Sequence, residues 1–462
     1  MKRLLSWMGM FGLAAFLAMP VITLPGGVYL AILIASVAFL RGRVLTSGVW
    51  QLCVLGIYAL LIGAAFAQNF HEWREINNQQ MRQVSIGLLA FATLRKASFR
   101  EINTLLAIIL AIAVAGVVGE MAGHNMHMLL PSKIAETEYY KDVATLPGGE
   151  QRFRGVFSES SVLLAVTTAY GFQTVAGAIL LRRSSRKLWL VASAAVALVS
   201  MVFLLAVTLA KTGLVVAAGG IIGCISAALI RREHRRVLRW LAAAAAMAVL
   251  VAPMILILPK KVTNYIAEEV SALPRALEGD RSLVKTNFGL LTRVECWRLA
   301  FETVINYPLG VGEFGIDDAY QASESVTLTS ELRFLFSVQV YGLKSALANV
   351  MAQTGLPGLL LLAATLFCSF IRPLYTDTDP RGGPATLRLA ALMMAVLFLS
   401  SCETYYWMAF VIVLRCHADA AAREMNSPLP ASRSGPRRGI RAVFQKVTFA
   451  RRRGAYALSR ER

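Results

Sequence analysis

Apolar segments alternate with short polar ones along most of this chain. Runs approaching or exceeding the roughly 20 apolar residues that cross a bilayer recur at 5–22, 24–40, 45–67, 81–94, 102–121, 157–181, 188–210, 212–230, 238–258, 346–371, 386–401 and 403–416. The fourth and the last are short. The pattern predicts an all-α, polytopic integral membrane protein with about 12 transmembrane helices. The opening Met1-Lys2-Arg3 and its apolar run mimic a signal peptide, but a second apolar run follows at once, so the first is read as a retained span. One stretch interrupts the alternation: residues 259–345, 87 positions of mostly polar sequence.

Charge orients the spans. Arg41/Arg43, Arg95/Lys96/Arg100, Arg182/Arg183/Arg186/Lys187, Arg231/Arg232/Arg235/Arg236 and Arg372/Arg381 fall between alternate pairs of spans. With Met1 inside, all of these clusters face the cytoplasm, and so does the tail 417–462, which holds eleven Lys/Arg against three Asp/Glu. The large segment has nine Lys/Arg against eleven Asp/Glu and falls outside. A net charge of +20 on a chain 56% hydrophobic and 16% charged therefore reports topology rather than nucleic-acid binding. The expected organisation is spans 1–9 over residues 1–258, with a smaller external loop at 122–155. The large loop 259–345 follows, then spans 10–12 over 346–416 and a basic, Pro/Ser-rich tail expected to be disordered or to lie on anionic lipid. The six cysteines show neither metal-ligand spacing nor a disulfide framework, and neither a metal nor another cofactor is expected.

Candidate chemistry collects at the external face. On a helix through 291–307, Arg298 has Glu295 three residues before it and Glu302 four after, so local pairs can neutralise it. Arg293 has no carboxylate at either spacing. Its planar, permanently charged guanidinium is suited to an external phosphate, with packing on Trp297 as the alternative. Arg154, with Arg152 as a weaker twin, sits at the external mouth of the sixth span; an arginine there also serves as a helix-end anchor. Lys211 lies in a tight turn between two spans, and Lys344 closes the large loop. Glu313, Asp317 and Asp318 include a candidate base for a sugar hydroxyl, or are ordinary loop acids. Pro308-Leu309-Gly310-Val311-Gly312 predicts a turn with unusual backbone angles whose amides can approach an anion.

Four patterns in this order resemble the O-antigen ligase and polymerase family of bacterial envelope enzymes. They are Arg154-Gly155-Val156-Phe157, Lys211-Thr212-Gly213, the stretch from Arg293 through Trp297 to Pro308–Gly312, and Ala352-Gln353-Thr354-Gly355-Leu356-Pro357-Gly358-Leu359. Two departures stand out: Gln353 replaces the family's glutamate, and Lys344-Ser345 occupies the place of its His-Asn. The resemblance implies a GT-C-like membrane glycosyltransferase with a large periplasmic loop. It implies metal-independent, inverting transfer of a growing glycan from an undecaprenyl diphosphate-linked oligosaccharide to a lipid-linked repeat unit. On that reading Arg154, Arg293, Lys344 and Glu313 carry the chemistry, while Lys211, Arg152, Trp297 and Arg298 bind substrate. Membrane lipid, a chain-length regulator and export proteins are the expected partners, in the inner membrane with both termini cytoplasmic.

The rival readings are a ligase acting on lipid A-core with the same residues, a transporter or flippase, and a structural scaffold. Transporters usually pair related halves around midplane sites. Here the ionisable residues gather at one face, and the large loop has no counterpart in the first half.

Overall fold

The computed structural model describes residues 9–10, 12–14, 17, 32, 85–124, 160–181, 187–208, 211–233, 235–242, 245, 271–280, 282–283, 288–312, 315–323, 343, 345–376, 383–402 and 407–426. Its helices are α1 (Phe99–Met121), α2 (Ser160–Leu180), α3 (Lys187–Thr208), α4 (Lys211–Ile230), α5 (Phe288–Asn306), α6 (Gly315–Ala322), α7 (Ala346–Leu366), α8 (Arg372–Thr376), α9 (Gly383–Ser401) and α10 (Trp407–Asn426). A π-helical turn, Phe367–Ile371, joins α7 to α8. No strand occurs among the described residues. The protein is an all-α polytopic membrane protein. The helices belong to one compact unit, Met1–Met425; of the second unit, Asn426–Arg462, only Asn426 is described.

Six of the described helical stretches are long and apolar enough to cross a membrane, and they coincide with expected spans. Most residues of the expected spans 5–22, 24–40, 45–67 and 238–258 and of the external loop 122–155 lie outside the described residues, as does the tail beyond 426. Of the apolar run at 81–94, the described residues Ser85–Leu94 form a helix, and 81–84 lie outside the described residues. The α1 helix starts earlier than its apolar run because Ser98 and Glu101 form a capping box: the Ser98 N–H donates to Glu101 Oε2 (2.7 Å) and the Glu101 N–H to Ser98 Oγ (3.3 Å).

The expected last span, 403–416, becomes a helix that starts at Trp407 and runs on to Asn426. Its second half carries Arg415, His417, Asp419 and Arg423, and each is bound within the bundle. Asp419 accepts from Arg388 at 3.0 Å and lies 3.3 Å from Arg415 Nε, and Arg423 donates to the Ala97 carbonyl (2.8 Å). Buried His417 has Nε2 2.8 Å from Asn103 Oδ1 and Nδ1 3.2 Å from Gln173 Oε1, while Gln173 Nε2 donates to the Leu387 carbonyl (3.3 Å). A neutral imidazole donates only once. Nδ1 donating to Gln173, with the Asn103 amide turned to present Nδ2 to Nε2, satisfies both ring nitrogens. Apolar periodicity could not reveal this extension, because paired polar groups replace apolar ones along it.

Between α4 and α9 the packing is close. Gly219 and Gly223, four residues apart on one face of α4, meet α9 directly. A Cβ on Gly223 would lie 2.4 Å from the Leu389 carbonyl oxygen and 2.6 Å from the Ala390 nitrogen. In lipid, where apolar burial drives helix association weakly, such small-residue faces supply contact through backbone approach. Gly223→Val is expected to destabilise the bundle by about 1–3 kcal/mol through overpacking, seen as a lower melting temperature in detergent. An unchanged melt would show that α4 and α9 separate freely.

Candidate functional site

The large loop is joined to the membrane helices through main-chain atoms. At Gly355, α7 breaks, with φ 61° and ψ −150°. The turn after α5 enters this break. The Val311 N–H donates to the Ala352 carbonyl (2.9 Å), the Gly312 N–H to the Gln353 carbonyl (3.0 Å), and the Leu356 N–H to the Pro308 carbonyl (2.8 Å). Both sides need glycine. Gly310 has φ 83° and a Cβ there would lie 2.4 Å from the Gln353 oxygen; one on Gly355 would lie 2.2 Å from the Pro308 oxygen. Pro357 tolerates its place because it stands in the first turn after the break, where no helical N–H is required.

The unusual backbone angles expected of the turn are present, at Gly310 (83°) and Gly312 (72°). Its amides are not offered to an anion. Gly310 N–H donates to the Tyr307 carbonyl, and those of Val311 and Gly312 to α7, so the oxyanion-cradle expectation is corrected. The start of α7 is fixed as well. Ser345 caps it, accepting from the Ala348 N–H (3.2 Å) and donating to the Leu399 carbonyl (3.0 Å), while the Asn349 side chain bonds both main-chain groups of Leu343 (2.7 and 3.0 Å). These clamps hold the two neighbours of Lys344.

On α5 two faces differ. The inner one, with Leu291, Cys296, Leu299 and Ala300, is buried in a cluster with Ala348, Met351 and Ala352 of α7. The outer one carries Arg293, Trp297, Phe301 and Ile305, each four residues from the last and hence on one stripe. With Leu277, Val294, Arg298 and Glu302 these line a groove of about 650 Å³. Arg293 is half-buried at the head of the stripe and has no hydrogen-bond or ion-pair partner among the described residues. The alternative expected for it, packing on Trp297, does not occur. Trp297 instead meets Phe301, with ring centroids 5.8 Å apart and planes tilted by 33°.

Arg298 differs from Arg293. Its Nη1 donates to Oε1 of fully buried Glu295 (2.9 Å), and its Nη2 to the carbonyls of Leu277 and Ala276. It straps residues 271–278 to α5, so its donors serve the loop's own fold. Glu302 accepts from Ser323 Oγ at 2.5 Å, which connects α5 to the residue just past α6. The strapped segment ends in its own clasp, with Arg275 and Asp280 2.6 Å apart; hydrogen bonds from Ser282, and then from Arg275, hold the Asp280 carboxyl below the usual carboxylate range.

Of the other expected site residues, Arg152, Arg154, Glu313 and Lys344 lie outside the described residues. Lys211 begins α4, but its side chain is outside them too, as is that of Asp317; Asp318 is exposed on α6. Thus the structure places Arg293, Trp297 and Arg298 on one helix. Sequence reasoning missed what positions them: the Gly310–Gly355 contact, whose signal was present as two glycine-containing motifs, and the Arg298 strap to carbonyls some twenty residues away, which left none.

Residues 196–363 match the family model described as O-antigen ligase. The O-antigen ligase match starts within α3 and ends within α7, so it takes in α4, the α5 groove and both halves of the main-chain junction. It covers less than half of the chain, and agrees with the resemblance carried by the motifs. No curated protein matches the chain.

Gly355→Ala is expected to open the junction, since it forces a Cβ onto the Pro308 carbonyl and strains a positive φ. Limited proteolysis of membrane vesicles should then cut between residues 288 and 322 at least several-fold faster than in the wild type. Equal protection would mean that the loop is seated by its apolar cluster alone.

Proposed function

We propose that the protein is a polysaccharide polymerase. On this reading it transfers a growing glycan from an undecaprenyl diphosphate carrier to a hydroxyl of another lipid-linked repeat unit, on the periplasmic face of the inner membrane with both termini cytoplasmic. The observation that carries the reading is Arg293: a guanidinium unpaired among the described residues, on a loop helix pinned to a membrane helix, inside the stretch that matches the O-antigen ligase family.

The chemistry follows from the leaving group. Cleaving the anomeric bond puts negative charge on a diphosphate, and fixed guanidinium groups stabilise that charge best where water is scarce. Arg293 would meet the diphosphate, and its neighbours Trp297 and Phe301 would limit water around it. Arg154, with Lys211 and Lys344 as further cations and Arg152 nearby, would complete the site. Attack by the acceptor hydroxyl from the opposite face inverts the anomeric centre. Because diphosphate is already a good leaving group, holding donor and acceptor in line supplies much of the acceleration. Glu313 is the proposed acceptor of the hydroxyl proton. No metal is assigned a role, and a chain-length regulator and export proteins would act on the product.

A second reading is favoured by the description of the matching family: a ligase that hands the finished glycan to lipid A-core with the same cations. Separate supply of the two acceptors distinguishes them, through ladder growth on the carrier or capping of the core. Arg293→Ala and Arg154→Ala are each expected to lower polymer formation by about 100-fold or more at unchanged membrane abundance, with the lipid-linked donor accumulating. Arg293→Lys, which keeps the charge and loses the fork, should fall between. Wild-type polymer from both alanine variants would remove the leaving-group site.

A further inference from the structure

The outer stripe of α5 is apolar where a loop helix facing water would be polar. Ile305 is 76% exposed and Phe301 55%, and in the turn beyond them Leu309 is 80% exposed. Phe301 and Ile305 share one face of α5, and Leu309 adds a third large exposed apolar side chain in the turn that follows.

The break in α7 supplies the level at which this patch sits. The helical stretch Ala346–Tyr375 has 30 residues, more than one bilayer crossing uses. An α-helix rises about 1.5 Å per residue, so a hydrocarbon core of about 30 Å takes up about 20 of them. The break at Gly355 divides the stretch, and the part beyond it, Leu356–Ile371, runs without a charged residue to exposed Arg372. The two amide side chains of this helix, Asn349 and Gln353, both precede the break. Exposed apolar residues on this helix also begin there, with Leu356, then Leu360 and Phe367. Leu309 therefore stands at the hydrocarbon boundary, because its neighbour Pro308 accepts the Leu356 N–H.

We propose that the outer face of α5, from Phe301 through Ile305 to Leu309, is embedded in the leaflet at the Gly355 end of α7 and is covered by lipid acyl chains. The patch continues the lipid-facing row of α7 across the Pro308–Leu356 hydrogen bond, which favours bilayer lipid as the occupant over a second copy of the chain. The loop is then monotopic at this helix. Arg293, three four-residue steps from Ile305 at the other end of the stripe, heads an apolar track about 18 Å long by helix rise. An amphiphile with an anionic head matches that arrangement of charge and hydrocarbon.

The test uses the full chain in proteoliposomes of phosphatidylethanolamine and phosphatidylglycerol, with p-benzoylphenylalanine in place of Ile305, Leu309 or, as a charged reference on α6, Asp318. Illumination followed by mass spectrometry should give phospholipid adducts at 305 and 309 at least tenfold above those at 318. Adducts at 305 and 309 no more frequent than at 318, or crosslinks there to a second copy of the chain, would overturn the proposal. The readout is a lipid adduct and not polymer, so failure here leaves the glycan-transfer reading standing, and loss of that reading leaves this one intact.

Discussion

Three hydrogen bonds between main-chain atoms join the turn after α5 to α7, and the placement of the candidate site depends on them. The turn at 308–312 fills a vacancy that α7 creates by breaking at Gly355; Ala352 and Gln353 offer carbonyls, and Leu356 an amide. In a regular helix those carbonyls would be occupied and hydrocarbon would supply no substitute. The break is tolerated because the loop completes it. The apolar contacts of Leu299 and Ala300 with Ala348 and Ala352 then fix the direction of α5, and with it the position of Arg293.

Arginines 293 and 298, five residues apart on α5, illustrate how neighbours assign a role. Arg298 points among Glu295 and two carbonyls, where its charge is neutralised and its donors are used. Arg293 lines the groove with Trp297, Phe301 and Ile305 and has no ion-pair partner among the described residues. Removing Arg298 would take an ion-pair partner from the fully buried Glu295 carboxylate. Among the described residues, no buried carboxylate pairs with Arg293.

The membrane class and most described helices were legible because hydrocarbon imposes a simple rule: about 20 apolar residues, with basic residues on one side. What was not legible obeys other physics. The start of α1 depends on Ser98 and Glu101 exchanging hydrogen bonds, a spacing that hydropathy does not weigh. The length of α10 depends on Asp419, Arg423 and His417 finding partners on other helices, which no local pattern records. At the site, the separation of Arg293 from Arg298 followed from carboxylate spacing, and the glycine motifs announced a special turn. That the two motifs were halves of one junction required long-range pairing. The amides that looked available for an anion were consumed by it.

A seat built only from peptide groups has no side chain whose titration, oxidation or replacement can release it. Gly310 and Gly355 are fixed by close backbone approach, and the apolar positions of α5 and α7 beside them by burial. The exposed positions of α5 can then change in sequence while the attachment stays the same.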